Sequence, residues 1–142
     1  MLVSTKGRYA LRVMTALASH EKGQFIPLKT IAAEQKISEK YLESIIVVLS
    51  KAGIIDGTRG KGGGYRLNRD PKDYPVGEIL RLTEGTIAPV ACLADKPNKC
   101  ENAAVCRTLP MWKKLDTIIC SYLDSVSVAD LAEPSIVGDY QI

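Results

Sequence analysis

The sequence predicts a mainly α-helical chain with one small β-hairpin, closed by a long helix near its C-terminal end. Two observations carry this. Apolar residues recur at spacings near 3.6 through residues 4–20, 28–36, 39–53, 76–84 and 109–126, the period of helices with one buried face. Between them, a glycine-rich run, TRGKGGG, separates two short strand-like stretches, Ile54-Ile55 and Tyr65-Arg66-Leu67, which is the pattern of a hairpin tip.

Each element has its own signals. Ser4 is placed to cap a helix running to about His20, with Tyr9, Val13, Ala16 and Leu17 on one face; Glu21-Lys22-Gly23-Gln24 ends it. A short second helix starts at Pro27 or Leu28, turns Leu28, Ile31 and Ala32 inward and finishes near Gln35-Lys36. A tight turn at Lys36-Ile37 leads to Ser38, an N-cap for the third helix. That helix buries Leu42, Ile45, Ile46 and Leu49 and stops at Gly53. Two helices joined by a tight turn, the second capped, are the signature of a helix-turn-helix. Tri-helical units of this size also occur in proteins that bind no nucleic acid, so the hairpin matters. Arg59, Lys61, Arg66 and Arg69 lie between Gly57 and Arg69 with no acid among them. This reads as a basic wing beside a recognition helix, and guanidinium groups favour narrow minor grooves. A phosphate-binding enzyme loop is the competing reading. The run GKGGGY lacks the Lys-Ser/Thr pair and leads into a strand, so that reading fails.

The second half begins with a helix over VGEILRLTE, closed by Gly85. Residues 86–107 are rich in Pro, Asn, Lys and Asp and form an irregular loop holding Cys92, Cys100 and Cys106. Their intervals of seven and then five residues between successive cysteines match neither a zinc knuckle nor a redox pair. Three thiolates are one short of the four usual for a cluster or closed zinc site, so a fourth ligand has to come from elsewhere. Then LPMWKKLDTIICSYLDSV makes a long helix with Pro110 in its first turn. Met111, Leu115, Ile118 and Tyr122 form one apolar row; Trp112, Ile119, Leu123 and Val126 form another. The stripe is wider than one small domain needs, so one row is expected to meet a second subunit. Residues 111, 112, 115, 118, 119 and 122 are the candidate dimer face. A two-fold dimer also suits palindromic DNA. Cys120, among apolar neighbours, reads as a packing residue. The tail after Glu133 reads as frayed.

Bulk properties agree. A chain of 142 residues, 46% hydrophobic, makes one compact domain with an appended element, and its net charge of +3 requires any nucleic-acid face to come from local clustering. No apolar run is long enough to span a bilayer, and Arg12 interrupts the N-terminal apolar stretch, which excludes an export signal. A cytoplasmic protein with reduced thiols is expected, where cysteines serve more often as ligands than as disulfides. No acid/base pair accompanies a histidine and no nucleotide fingerprint is present, so an enzyme is not expected.

Taken together, STKGRYALRVM, SEKYLESI, RGKGGGYRLNRD, VGEILRLTEG and the three spaced cysteines before a long helix resemble the IscR/NsrR/CymR family of bacterial winged-helix regulators. The resemblance covers most of the chain. It implies a winged helix-turn-helix domain over 1–85, a cluster-binding loop over 86–107, a dimerisation helix and C-terminal helix over 108–133 and a tail over 134–142. It implies a homodimer on a double-stranded DNA operator. In that arrangement the helix from Ser38 to Ser50 enters the major groove. Lys40, Tyr41, Glu43 and Ser44 form its reading turn, and Arg59 enters the minor groove with Gly60 and Lys61 beside it. The iron–sulfur branch commonly has glutamine where this chain has Ser44, so operator preference is expected to differ.

The cysteine trio resembles the family's cluster ligands; members without it sense cysteine metabolism through a protein partner. KGRYA and GGGY look most like the IscR branch, which favours a [2Fe–2S] centre over a [4Fe–4S] one. The histidine that completes the site there is Leu109 here, and the aspartate used by the nitric-oxide branch is Arg8. His20 reads as a surface residue. Glu43, Asp95, Glu101, Asn102, an exogenous thiol or water remain for the fourth position. Glu43 would tie the metal to the recognition helix. A zinc site or a metal-free thiol switch in the same DNA-binding protein is the alternative.

Overall fold

The computed structural model describes residues 3–133; the tail expected to fray lies outside the described residues. Helix α1, Thr5–Ala18, is capped by Ser4, whose hydroxyl accepts from Gly7 N at 3.1 Å. The same hydroxyl donates to Glu84 Oε1 at 2.6 Å, which brings a carboxylate to the positive end of α1. The helix stops two residues short of the expected His20, because Ser19 takes over the cap and returns its hydroxyl to Thr15 O. Helix α2, Leu28–Gln35, ends at Lys36, which adopts the left-handed conformation at φ 54. Helix α3, Glu39–Lys51, starts from Ser38, whose side chain accepts from Tyr41 N at 3.2 Å. Its four expected core residues, Leu42, Ile45, Ile46 and Leu49, are all buried.

Strands β1, Ile55–Thr58, and β2, Gly64–Leu67, pair antiparallel with Ile55 opposite Leu67 and Thr58 opposite Gly64. A third contributor carries no local signal in the sequence. Ile26 bridges to Tyr65 on the free side of β2, through Ile26 N to Tyr65 O at 2.8 Å and Tyr65 N to Ile26 O at 2.9 Å. Tyr65 is therefore paired on the side of β2 away from β1, and the hairpin is tied to the segment between α1 and α2. A helical trio followed by this hairpin is the winged helix-turn-helix that the sequence predicts.

Helix α4, Val76–Glu84, leads to the loop, and α5, Leu109–Ser125, follows it. Two cores result. The larger gathers Val13, Met14, Ile31, Leu42, Ile45, Leu49, Ile54 and Tyr74, with Val128 from the C-terminal end. The smaller joins Val76, Leu80 and Ile87 to Cys120 and Leu123 of the long helix and to Val126, which caps its end. Cys120 thus packs as expected, half-buried. Arg81 clamps α5 onto α4 by a bidentate pair with Asp124 at 2.8 and 3.0 Å. Gly77 lies beneath that clamp, where a side-chain methyl would collide with Asp124 Oδ1. Helix α6, Val128–Ala132, opens with a capping box between Ser127 and Asp130. It returns to the winged core, with Val76 N donating to Val126 O at 2.8 Å and Val128 N to Tyr74 O at 3.0 Å.

Candidate DNA interface and cysteine loop

The turn between α2 and α3 is held from α1. Arg12 donates through Nε to Gln35 Oε1 at 3.1 Å, and its guanidinium also caps the Gln35 carbonyl at the C-terminal end of α2. That places a cation where the helix dipole is negative. The same guanidinium lies 4.7 Å from the Tyr9 ring centroid, and Tyr9 meets Tyr41 edge-to-face at 5.8 Å. Tyr41 is thus half-buried and holds α3 against α1; at most its rim is available to a partner. Ser38, Lys40, Glu43 and Ser44 stand exposed on the outer face of α3, together with Val47, which is not among the residues expected to read DNA. The signal for Val47 was its register: it lies off the buried quartet on the i, i+3, i+4, i+7 row of Lys40, Glu43 and Ser44.

The four wing cations divide into two pairs. Arg66 stacks 4.2 Å from the Phe25 ring centroid, donates to Gly23 O at 3.1 Å and faces Asp56 at 3.6 Å. Arg69 forms a fork with Glu78 at 2.9 and 3.0 Å, an arrangement that raises its pKa. Both serve the wing base. Arg59 and Lys61 are exposed on the tip, and neither joins an ion pair among the described residues. Gly60 between them adopts φ 90, so the turn itself requires glycine there.

Tyr74 is the hidden anchor of this arrangement. It is fully buried, donates through its hydroxyl to Ile54 O at 2.7 Å, and accepts from Asn68 N at 3.0 Å and Arg69 N at 2.9 Å. One side chain thus joins the entry of β1 to the exit of β2. Burial raises its pKa above the ordinary tyrosine value.

The cysteine loop is irregular apart from one 3-10 turn at Ala91–Leu93 that contains Cys92. Cys92, Cys100 and Cys106 are all free; Cys100 is exposed and the other two are half-exposed. Cys106 lies at the start of α5, where the Thr108 hydroxyl and the backbone N–H groups of Thr108 and Leu109 lower the pKa of its thiol. Asn98 accepts from Cys100 N at 2.9 Å, while its own Nδ2 is buried without a partner. Soft thiols and an orphaned donor beside them are the right chemistry for a sulfur-rich centre, since cluster sulfurs accept hydrogen bonds. Among the described residues, however, no three His, Cys, Asp or Glu side chains converge on a point where a metal would sit. The fourth-ligand candidates are equally dispersed. Glu43 is exposed on α3, Asp95 faces Lys99 at 3.9 Å, and Glu101 and Asn102 are exposed. His20 is paired with Glu34 at 3.0 Å, and Leu109 is buried.

On α5, the row Met111, Leu115, Ile118 and Tyr122 is exposed, from 38% at Leu115 to 55% at Ile118 and Tyr122. Trp112 and Ile119 are half-buried, and Leu123 and Val126 pack on α4. The two rows therefore differ: Leu123 and Val126 of the second serve this chain's core, and the first faces outward. No helix among the described residues is long and apolar enough to cross a membrane.

Comparison with known proteins agrees with this architecture. A family model described as Rrf2, an iron-dependent transcriptional regulator, matches residues 3–134. The protein called rrf2 of Nitratidesulfovibrio vulgaris Hildenborough is 39% identical over 92% of this chain and 87% of its own length. The structure of CymR, the global cysteine regulator of B. subtilis, superimposes with a TM-score of 0.76 at 35% identity, covering 93% of this chain and 96% of that one. IscR of T. potens gives a TM-score of 0.75 at 36% identity over 100% of this chain and 93% of that one. These relatives are regulators of transcription and not enzymes, and the chain belongs to the Rrf2 family of transcriptional regulators.

Proposed function

We propose that this regulator works as a homodimer on duplex DNA and that an iron–sulfur cluster, preferably [2Fe–2S], governs its grip on the operator. The observation that carries the reading is the loop over 86–107. It concentrates three free thiols between the last helix of the winged core and the helix with the outward apolar row. Cys92, Cys100 and Cys106 would hold the cluster, with the fourth position left to Glu43, a loop side chain or an exogenous ligand. A bound cluster supplies a centre that depends on iron supply and is sensitive to oxidants. The protein contributes the coupling. The loop leaves α4 and enters α5, so any reordering of it redirects the start of α5. Arg81 and Asp124 hold the far end of that helix on the winged core. In a dimer joined through Met111, Leu115, Ile118 and Tyr122, such a change alters the spacing of the two recognition helices. A coupling of ~1–3 kcal/mol changes operator affinity by ~5–150-fold.

The test is anaerobic reconstitution with iron and sulfide, followed by absorption and Mössbauer spectra and by footprinting of both forms. Cys92→Ala is expected to lose iron and to bind the operator like the cluster-free protein. Full iron content in that variant would refute the ligand assignment. A metal-free thiol switch is the second reading, favoured by the acidified, accessible Cys106 thiol. Protein that remains iron-free after reconstitution, yet changes affinity with oxidant, would establish it.

The DNA contacts have their own test. Arg59→Ala is expected to weaken operator binding by ~1–3 kcal/mol and to blunt preference at an A·T-rich step. Lys61→Ala, meeting phosphate alone, is expected to weaken every sequence alike and lower the salt slope by about one. Equal loss from both on random DNA would remove the minor-groove role of Arg59.

A further inference from the structure

Lys40, Glu43, Ser44, Val47, Ser50 and Lys51 succeed one another at steps of three, one, three, three and one along α3, and all six are exposed. At ~100° per residue they form one stripe with Val47 near its midline, opposite the buried Leu42, Ile45, Ile46 and Leu49. Val47 is 49% exposed, the one large apolar side chain in that stripe. A single exposed valine is ordinary on a protein surface. This one is harder to dismiss. Valine is among the weaker helix formers, so helix propensity does not favour it at a solvent-facing position. Packing does not account for it either, since its neighbours along the stripe are polar or charged.

We propose that Val47 is a specificity residue that reads the C5-methyl group of a thymine in the major groove. This inference rests on α3 being the recognition helix. A valine side chain has no donor or acceptor. Of the groups that base pairs present in the major groove, the thymine methyl is the apolar one that it can match. The polar residues on either side do the complementary work: Glu43 offers only acceptors and Lys40 only donors. Val47 thereby reads the one feature of thymine that neither a carboxylate nor an ammonium can sense, the methyl group itself.

The experiment begins with sites selected by the whole chain from random duplexes. Each thymine of the selected site is then replaced singly by deoxyuridine, which removes only the methyl. The expected result is one thymine per half-site whose replacement weakens wild-type binding ~three- to ten-fold, the scale of one lost apolar contact. Val47→Ser is expected to bind the thymine and deoxyuridine duplexes equally. Val47→Thr, which keeps one methyl, is expected to retain part of the difference. Because Val47 is exposed, both variants keep the fold, which circular dichroism checks. Specific binding with no methyl-dependent thymine, or with the same dependence in Val47→Ser, would overturn the inference and leave the regulator reading intact. Failure of the wild-type chain to select any sequence would instead strike the DNA reading itself, and this inference with it.

Discussion

Gly64→Ala is expected to destabilise the chain by about 3 kcal/mol or more and to abolish specific DNA binding, because it strikes the joint between wing and helical core. Gly64 adopts φ 150, a conformation that side chains disfavour. A methyl there would run into the carbonyl of Ile26 and approach Pro27 N at 2.7 Å. Those are backbone atoms, and Ile26 is fixed by two hydrogen bonds to Tyr65, so neither side can yield without breaking the bridge. Gly60 provides the control. It also has a positive φ, 90, but a methyl there would meet nothing within 4 Å. Gly60→Ala is therefore expected to cost only about 1 kcal/mol, from backbone strain alone. Urea unfolding of the two variants measures the contrast. Equal losses, or a Gly64→Ala protein as stable as the wild type, would show that the wing is not anchored through Ile26.

The sequence made Gly64 visible only as one glycine among several in a hairpin tip. What it could not reveal was Ile26, 39 positions before its bridge partner Tyr65. The same limit separates what was legible from what was not. Local signals are legible: the Ser4 and Ser38 caps, the buried quartet of α3 and the turn at Lys36 depend on residues within a few positions, and the glycine-rich tip marks the hairpin without showing which side chains its strands bring together. Arg66 and Arg69 looked like DNA-facing cations because their acids, Asp56 and Glu78, lie ten and nine positions away in sequence. Only the folded wing base brings them together. The long helix shows both cases at once. Its periodicity gave two apolar rows, but only the fold distinguishes the row on α4 from the row facing outward. For the thiols, spacing identified the loop, and the structure adds the Thr108 contact to Cys106 and the unpaired Asn98 amide. Neither carries any mark in the sequence.

No local signal in the sequence marks Tyr74, and Tyr74→Phe is the sharper test of how the wing is held. The substitution keeps the ring, its packing in the main core and the Arg69 guanidinium 5.0 Å from its centroid. It removes one hydroxyl, and with it the donor to Ile54 O and the acceptor for Asn68 N and Arg69 N. The three losses are unequal. Asn68 and Arg69 lie in an exposed turn and their bonds to the hydroxyl are only partly buried, so water offsets part of that loss. Ile54 is 1% exposed, and its carbonyl depends on Tyr74 within the fold. One stranded buried acceptor plus two weakened turn contacts amounts to about 2–4 kcal/mol. The expected phenotype is a lower unfolding midpoint, with hydrogen exchange faster at Asn68 and Arg69 than in α1. Operator affinity is expected to fall as well, though Tyr74 touches no DNA, because Arg59 and Lys61 ride on strands that this hydroxyl fastens together. A Tyr74→Phe protein within about 0.5 kcal/mol of the wild type, the scatter of ordinary surface changes, would mean that the β1–β2 pairing and the Ile26 bridge hold the wing without it.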